Sequence, residues 1–185
     1  MADERDESED EDRVIYHPNR EKATSKATKA ITVLLLVVSA AITLIITIGG
    51  WSQLQGAKFV SIGFVIVFAV MAYYVTKWTR GVLPLAAGLA IILGVFAAIA
   101  AFGTGSWSDR SSSGYADAAL PADLIWLLCI LLIPVLILTI AFAMRGFSQK
   151  WNVEIEMSRE EFEREHRGGG RGGRGGGYRA QPAQG

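Results

Sequence analysis

The chain has 185 residues, so on size alone one domain is the prior. Hydrophobic residues make up 51% of it and charged residues 19%, below the roughly one quarter usual in soluble domains; 18 Lys and Arg balance 18 Asp and Glu. With a mean hydropathy of +0.31 and Cys129 as its one cysteine, the chain is no secreted disulfide scaffold, and a soluble enzyme is disfavoured.

The first twelve residues, MADERDESEDED, carry eight acids against Arg5. No core can form from such a run, and residues 1–18 are expected to be a disordered acidic tail. His17-Pro18-Asn19 breaks the chain, and Asn19 is placed to cap a helix that continues into the apolar run. Residues 19–29 form a basic juxtamembrane segment in which Arg20, Lys22, Lys26 and Lys29 are set to meet anionic head groups, at about 1 kcal/mol per cation. An acidic start and a long apolar run do not fit a cleavable signal peptide, so the first span should stay in the mature protein.

Between Ala30 and Met144 charge thins to Lys58, Lys77, Arg80, Asp109, Arg110, Asp117 and Asp123. A spanning helix needs about 20 apolar residues to cross about 30 Å of hydrocarbon. Four stretches reach that length within residues 30–146: about 30–48, 59–76, 82–103 and 124–144. None contains Asp, Glu, Lys, Arg, His, Asn or Gln. They are apolar on every face, whereas a barrel strand alternates. The expected fold is therefore an all-α integral membrane protein, a four-transmembrane-helix bundle with disordered cytoplasmic tails.

Lys and Arg near the spans number nine on the side of the two tails and two, Lys58 and Arg110, on the other. The positive-inside rule then puts both termini in the cytoplasm of a cell membrane. The richness in Ala, Val and Gly suits a bacterial source. Trp51 and Trp126 fall at the outer boundary and Trp78 and Trp151 at the inner one, as interfacial anchors do.

Helices in lipid associate by close packing and hydrogen bonds. Ala86, Ala90, Gly94 and Ala98 recur every four residues in the third span and make a smooth packing face. Ser39, Thr43 and Thr47 repeat at the same spacing in the first and read as interhelical glue. The alternative is an oligomeric channel or passive facilitator, with those hydroxyls lining a path and Pro134 kinking the fourth span at a gate. Pro84 costs nothing in the first turn of the third span, and the tight turn at Gly81 should make spans two and three antiparallel neighbours. The long connection Thr104–Asp123 reads as a flexible loop. Its Asp109, Asp117 and Asp123 match no cation-loop spacing.

Residues 147–167 form a second juxtamembrane segment. Trp151, Val153, Ile155 and Met157 alternate with polar residues, a strand-like period with no obvious partner, and Ser158-Arg159-Glu160-Glu161 reads as a capping box that opens a helix to about Arg167. Residues 168–185 are a Gly/Arg-rich low-complexity tail. Its Arg171, Arg174, Tyr178 and Arg179 resemble the RGG-type segments that bind single-stranded nucleic acid. Anionic lipid or an acidic protein is the preferred partner, nucleic acid the disfavoured one.

Catalytic, metal and cofactor residues are not found: His17 and His166 lack companions at ligand spacing, and Cys129 lies among Leu and Ile, where it should be inert. The spans hold no ionisable group, unlike small multidrug transporters, which carry a carboxylate in the first of four helices. The expected role is non-enzymatic: a scaffold or accessory subunit with docking tails, open to homo-oligomerisation. A membrane enzyme subunit is the most distant alternative.

Overall fold

The computed structural model describes residues 13–16, 22–112, 118–149, 151, 155–158 and 164. They fall into two units, Pro18–Val153 and a second that joins Met1–His17 with Glu154–Gly185.

The first unit is helical. It contains α1 (Ala23–Gly49), α2 (Ala57–Thr76), α3 (Val82–Phe102), a short α4 (Trp107–Ser112) and α5 (Ala122–Ser148). The four long helices are long and apolar enough to cross a membrane. Their outward faces are as greasy as their inward ones: Leu34 is 60% exposed, Phe59 69% and Phe102 65%. Such a surface would aggregate in water, and lipid is the medium that suits it.

The helix boundaries follow local chemistry. Helix α1 starts at Ala23, before the apolar run, because lysines and threonines are tolerated in a helix once lipid-facing turns nucleate it. The cap expected at Asn19 lies outside the described residues. Pro84 occupies the first turn of α3, where no donor is missed. Asp123 stands in the first turn of α5 and Arg145 in its last, each complementing the helix dipole. Pro134 lies inside α5, which runs unbroken through it, and its ring is exposed.

Packing is uneven. Helix α3 meets α5 most extensively, and α1 packs on both α2 and α5. Ala86, Ala87, Ala90 and Ala97 are buried on α3, and their small side chains let its backbone approach α5. Helices α2 and α3, expected as close neighbours, touch at few positions. A tight turn fixes only their adjacent ends and leaves the far ends free to diverge. Every buried residue of α2, namely Phe68, Met71, Ala72 and Val75, lies in its second half. The first half of α2 is at most half-buried.

One expectation for the connections changes. The segment read as a flexible loop contains α4, held against α5 and α3, with Trp107 only 3% exposed. Trp107 covers the end of α1 so closely that a Cβ on Gly50 would lie 2.7 Å from its ring. The indole is large enough to anchor a six-residue helix that could not stand alone.

In the second unit, β1 (Arg13–Tyr16) pairs antiparallel with β2 (Ile155–Ser158). Val14 is opposite Met157 and Tyr16 opposite Ile155, so these four positions share one face of the ribbon. The strand-like period at the C-terminal side thus has a partner, in a segment that the sequence places in a disordered tail. The acidic run hid it, because four residues are too few to stand out beside eight acids. Ser158 ends β2 and Arg164 is helical; the rest of the expected capping box and helix lies outside the described residues.

Candidate functional site

Where the chain enters and leaves the bundle, here the tail side, the helix ends are tied into a cation–aromatic cluster. The Lys29 ammonium donates to the Thr76 carbonyl at 3.2 Å and stands 4.0 Å from the Trp78 ring centre. It neutralises the negative end of α2 while its charge rests on a π face. Trp78 meets Trp151 edge to face at 5.2 Å. Trp151 Nε1 donates to Gln149 Oε1 and Gln149 Nε2 to Thr28 Oγ1, both at 3.0 Å, which returns the chain of contacts to α1. Arg80 Nε donates to the Phe147 carbonyl at 2.8 Å, the same service for the end of α5.

Trp78 holds an unusual backbone. Its φ is +62°, the left-handed region. The Thr79 amide bonds to the Tyr74 carbonyl and the Trp78 amide to the Val75 carbonyl, which makes this a Schellman cap with Trp where glycine is usual. A bulky residue there costs roughly 1–2 kcal/mol. The ring contacts with Lys29 and Trp151 offset that strain.

At the opposite end, the loop side, an apolar crevice of about 310 Å³ lies between α2 and α3. Phe64 stands at its foot, edge-on to Phe68 and Phe96 at 6.1 Å each. Leu93 and Ala97 of α3 form one wall, Val60 and Ser61 of α2 the other, and Thr43 and Cys129 the back. Above it lies a second pocket of about 260 Å³ with polar groups from Gln53, Thr104, Ser106 and Arg110. The two share Leu54, Ala57, Ile99, Ala100 and Trp107, so they adjoin.

The residues singled out by sequence fall as follows. Ala86 and Ala90 are fully buried, while Gly94 and Ala98 are half-buried. A strict four-residue row advances about 40° per step on a 3.6-residue helix, so its far end leaves the contact and Ala97 and Ala101 take over. Ser39, Thr43 and Thr47 are all buried. Thr43 donates to the Ser39 carbonyl at 2.7 Å and Thr47 to the Thr43 carbonyl at 2.6 Å, so both satisfy themselves within α1. Ser25, Thr28 and Thr32 extend this buried row and were missed. A mixed three-and-four spacing would have found them, whereas a strict four could not.

The four tryptophans do not form one belt. Trp51 is exposed, with the Lys58 ammonium 5.0 Å from its ring, and Trp126 and Trp78 are half-buried. Trp126 Nε1 is covered and has no hydrogen-bond partner. Trp151, expected at the membrane surface, is fully buried, its ring against the backbone of Gly146, where a Cβ would lie 3.0 Å away. Lys22 and Lys26 are exposed, but Lys29 is turned into the cluster. Arg20, Arg171, Arg174 and Arg179 lie outside the described residues, as do Asp117, His17 and His166.

Among the described residues no three His, Cys, Asp or Glu side chains gather to hold a metal. Asp109 Oδ2 accepts from the Gly105 amide at 2.9 Å, and Asp123 accepts from the Ser111 hydroxyl. The arrangement defines a class: four apolar helices of membrane-crossing length, tied at one end and cleft at the other. No protein family, curated protein or solved structure matches the chain.

Proposed function

We propose that this is a non-enzymatic multi-pass membrane protein, a scaffold or accessory subunit whose cytoplasmic tails dock partners. The observation that carries the reading is the β1–β2 ribbon, which joins residues from the two tails into one unit. An isolated two-stranded ribbon is marginal in water, and each strand has an outer edge of backbone donors and acceptors. Those edges accept a further strand from a partner. By register Val14, Tyr16, Ile155 and Met157 fall on one face of the ribbon. The exposed Lys22 and Lys26 support contact with anionic head groups. The same chain could not dock on both sides of a membrane, so the reading needs both tails in one compartment, which the excess of Lys and Arg assigns to the cytoplasm.

The test is cross-linking of the full chain in its native membrane, followed by identification of what is captured. An Ile15→Pro variant breaks the extended geometry of β1, and a second variant lacks residues 1–12 and 168–185. The proposal expects captured partners to be lost from the first or the second. An unchanged set of partners in both sinks it. A reporter fused after Gly185 that works only outside the cell would reverse the orientation.

A further inference from the structure

We propose that the loop-side crevice is a site for one bilayer phospholipid with an anionic headgroup, its acyl chain between α2 and α3 and its headgroup in the polar pocket above. The crevice and that pocket adjoin across shared wall residues, one apolar and the other partly polar, which is the order of parts in a phospholipid. The opening lies between two long helices that touch at few positions, and Val60, Phe96 and Ile99 beside it are about half-exposed, so the medium at the mouth is the bilayer. Leu132, the deepest wall residue on α5, lies about 15 Å from Ala122 at 1.5 Å per residue, close to half of the roughly 30 Å hydrocarbon core. The cleft is therefore one leaflet deep.

Size and chemistry favour a chain over a helix. At about 310 Å³ the cavity is at the small end of ligand pockets, whereas an α-helix is about 10–12 Å across. Thr43 and Ser61 spend their hydroxyl protons on Ser39 and Ala57 carbonyls of their own helices, so the wall offers an alkyl chain little polar competition. Lipid tails are as apolar as this wall, so entry of the chain gains nothing from water. Filling a void restores lost van der Waals contact, and the headgroup supplies selectivity. Arg110 contributes the positive charge, its guanidinium 4.8 Å from the Trp107 ring that forms part of both pockets. Lys58 follows the wall residue Ala57.

The test reconstitutes the full chain in phosphatidylcholine vesicles that contain a trace of either phosphatidylglycerol or phosphatidylcholine bearing a diazirine in one acyl chain. After photolysis, labelled peptides are mapped. The proposal expects label concentrated on the loop-side halves of α2 and α3, with about fivefold more from phosphatidylglycerol, the worth of one interfacial cation. Arg110→Gln should bring the two lipids level while the labelled peptides stay the same. Ala100→Phe, which fills the throat, should remove the crevice label from both. Label spread evenly over all outward faces overturns the proposal, and equal labelling by both lipids in the unaltered chain overturns its headgroup. Exclusion of label together with disulfide-linked dimers of a Ser61→Cys variant overturns it in favour of a second copy.

Discussion

At the tail side the ends of α1, α2 and α5 are each held by a side chain from another segment, and Trp151 is fully buried among them. At the loop side α2 buries nothing before Phe68, and an open cavity stands beside it. The helices are equally apolar at both ends. In water the hydrophobic effect would close such a cleft, but in lipid it does not care whether a wall meets a helix or an acyl chain. The difference between the ends therefore comes from the specific contacts: a lysine on a helix terminus, a strained tryptophan, a glutamine bridge. Where those exist the bundle is shut.

The largest test of that contrast is Trp151→Ala. Removing a fully buried aromatic should cost about 3–5 kcal/mol. Reversible unfolding in mixed micelles would measure it, and hydrogen exchange should rise at the Thr76–Leu83 turn before it rises near Gly50. A loss below about 1 kcal/mol would mean that Trp151 sits at the membrane surface, as a belt residue would. Next comes Gly50→Ala at the other end. Its Cβ would press the rigid Trp107 ring at 2.7 Å, so we expect about 1–3 kcal/mol and release of α4. Fluorescence of an otherwise Trp-free variant that retains Trp107 should then shift to the red. The shift should be absent in Gly56→Ala, where nothing stands within 4 Å.

This contrast between the ends was only partly legible in the sequence. Span number and type were plain, since four uncharged runs leave lipid little choice, and α2 and α3 begin and end within two residues of the apolar limits. Helix α1 outran its apolar run at the N-terminal end, where Ser25 and Thr28 are buried although hydropathy counts them as polar. Which helices would pair was not legible: chain order suggested α2 with α3, yet the small residues of α3 serve α5. The cluster was invisible for a different reason. Lys29, Trp78 and Trp151 are far apart in sequence, and each alone reads as an ordinary interfacial residue. The crevice has no sequence signature at all, because it is a space left by neighbours.

Trp78 separates strain from contact. Trp78→Ala keeps the left-handed backbone of a residue with a Cβ and loses the ring; Trp78→Gly loses the ring but is at ease with φ near +62°. Both should destabilise the tail side, with glycine about 1 kcal/mol the better of the two. Equal losses would show that the turn relaxes out of that conformation once the ring is gone.

The smallest effects belong to the hydroxyl row, and they bear on whether the bundle conducts. Thr43→Val removes a hydroxyl already bonded to the Ser39 carbonyl, and that carbonyl keeps its helical amide bond, so the change should be within about 0.5 kcal/mol. Ser39→Ala should be neutral or slightly stabilising, because Ser39 Oγ is buried and has no hydrogen-bond partner. A path for solutes would behave otherwise. Its lining hydroxyls would face water or a passing solute, and Thr43→Val would alter flux in proteoliposomes while leaving stability alone. A flux that this substitution abolishes would therefore make the row a conduit, and would turn the loop-side crevice from a resting place for lipid into that conduit's entrance.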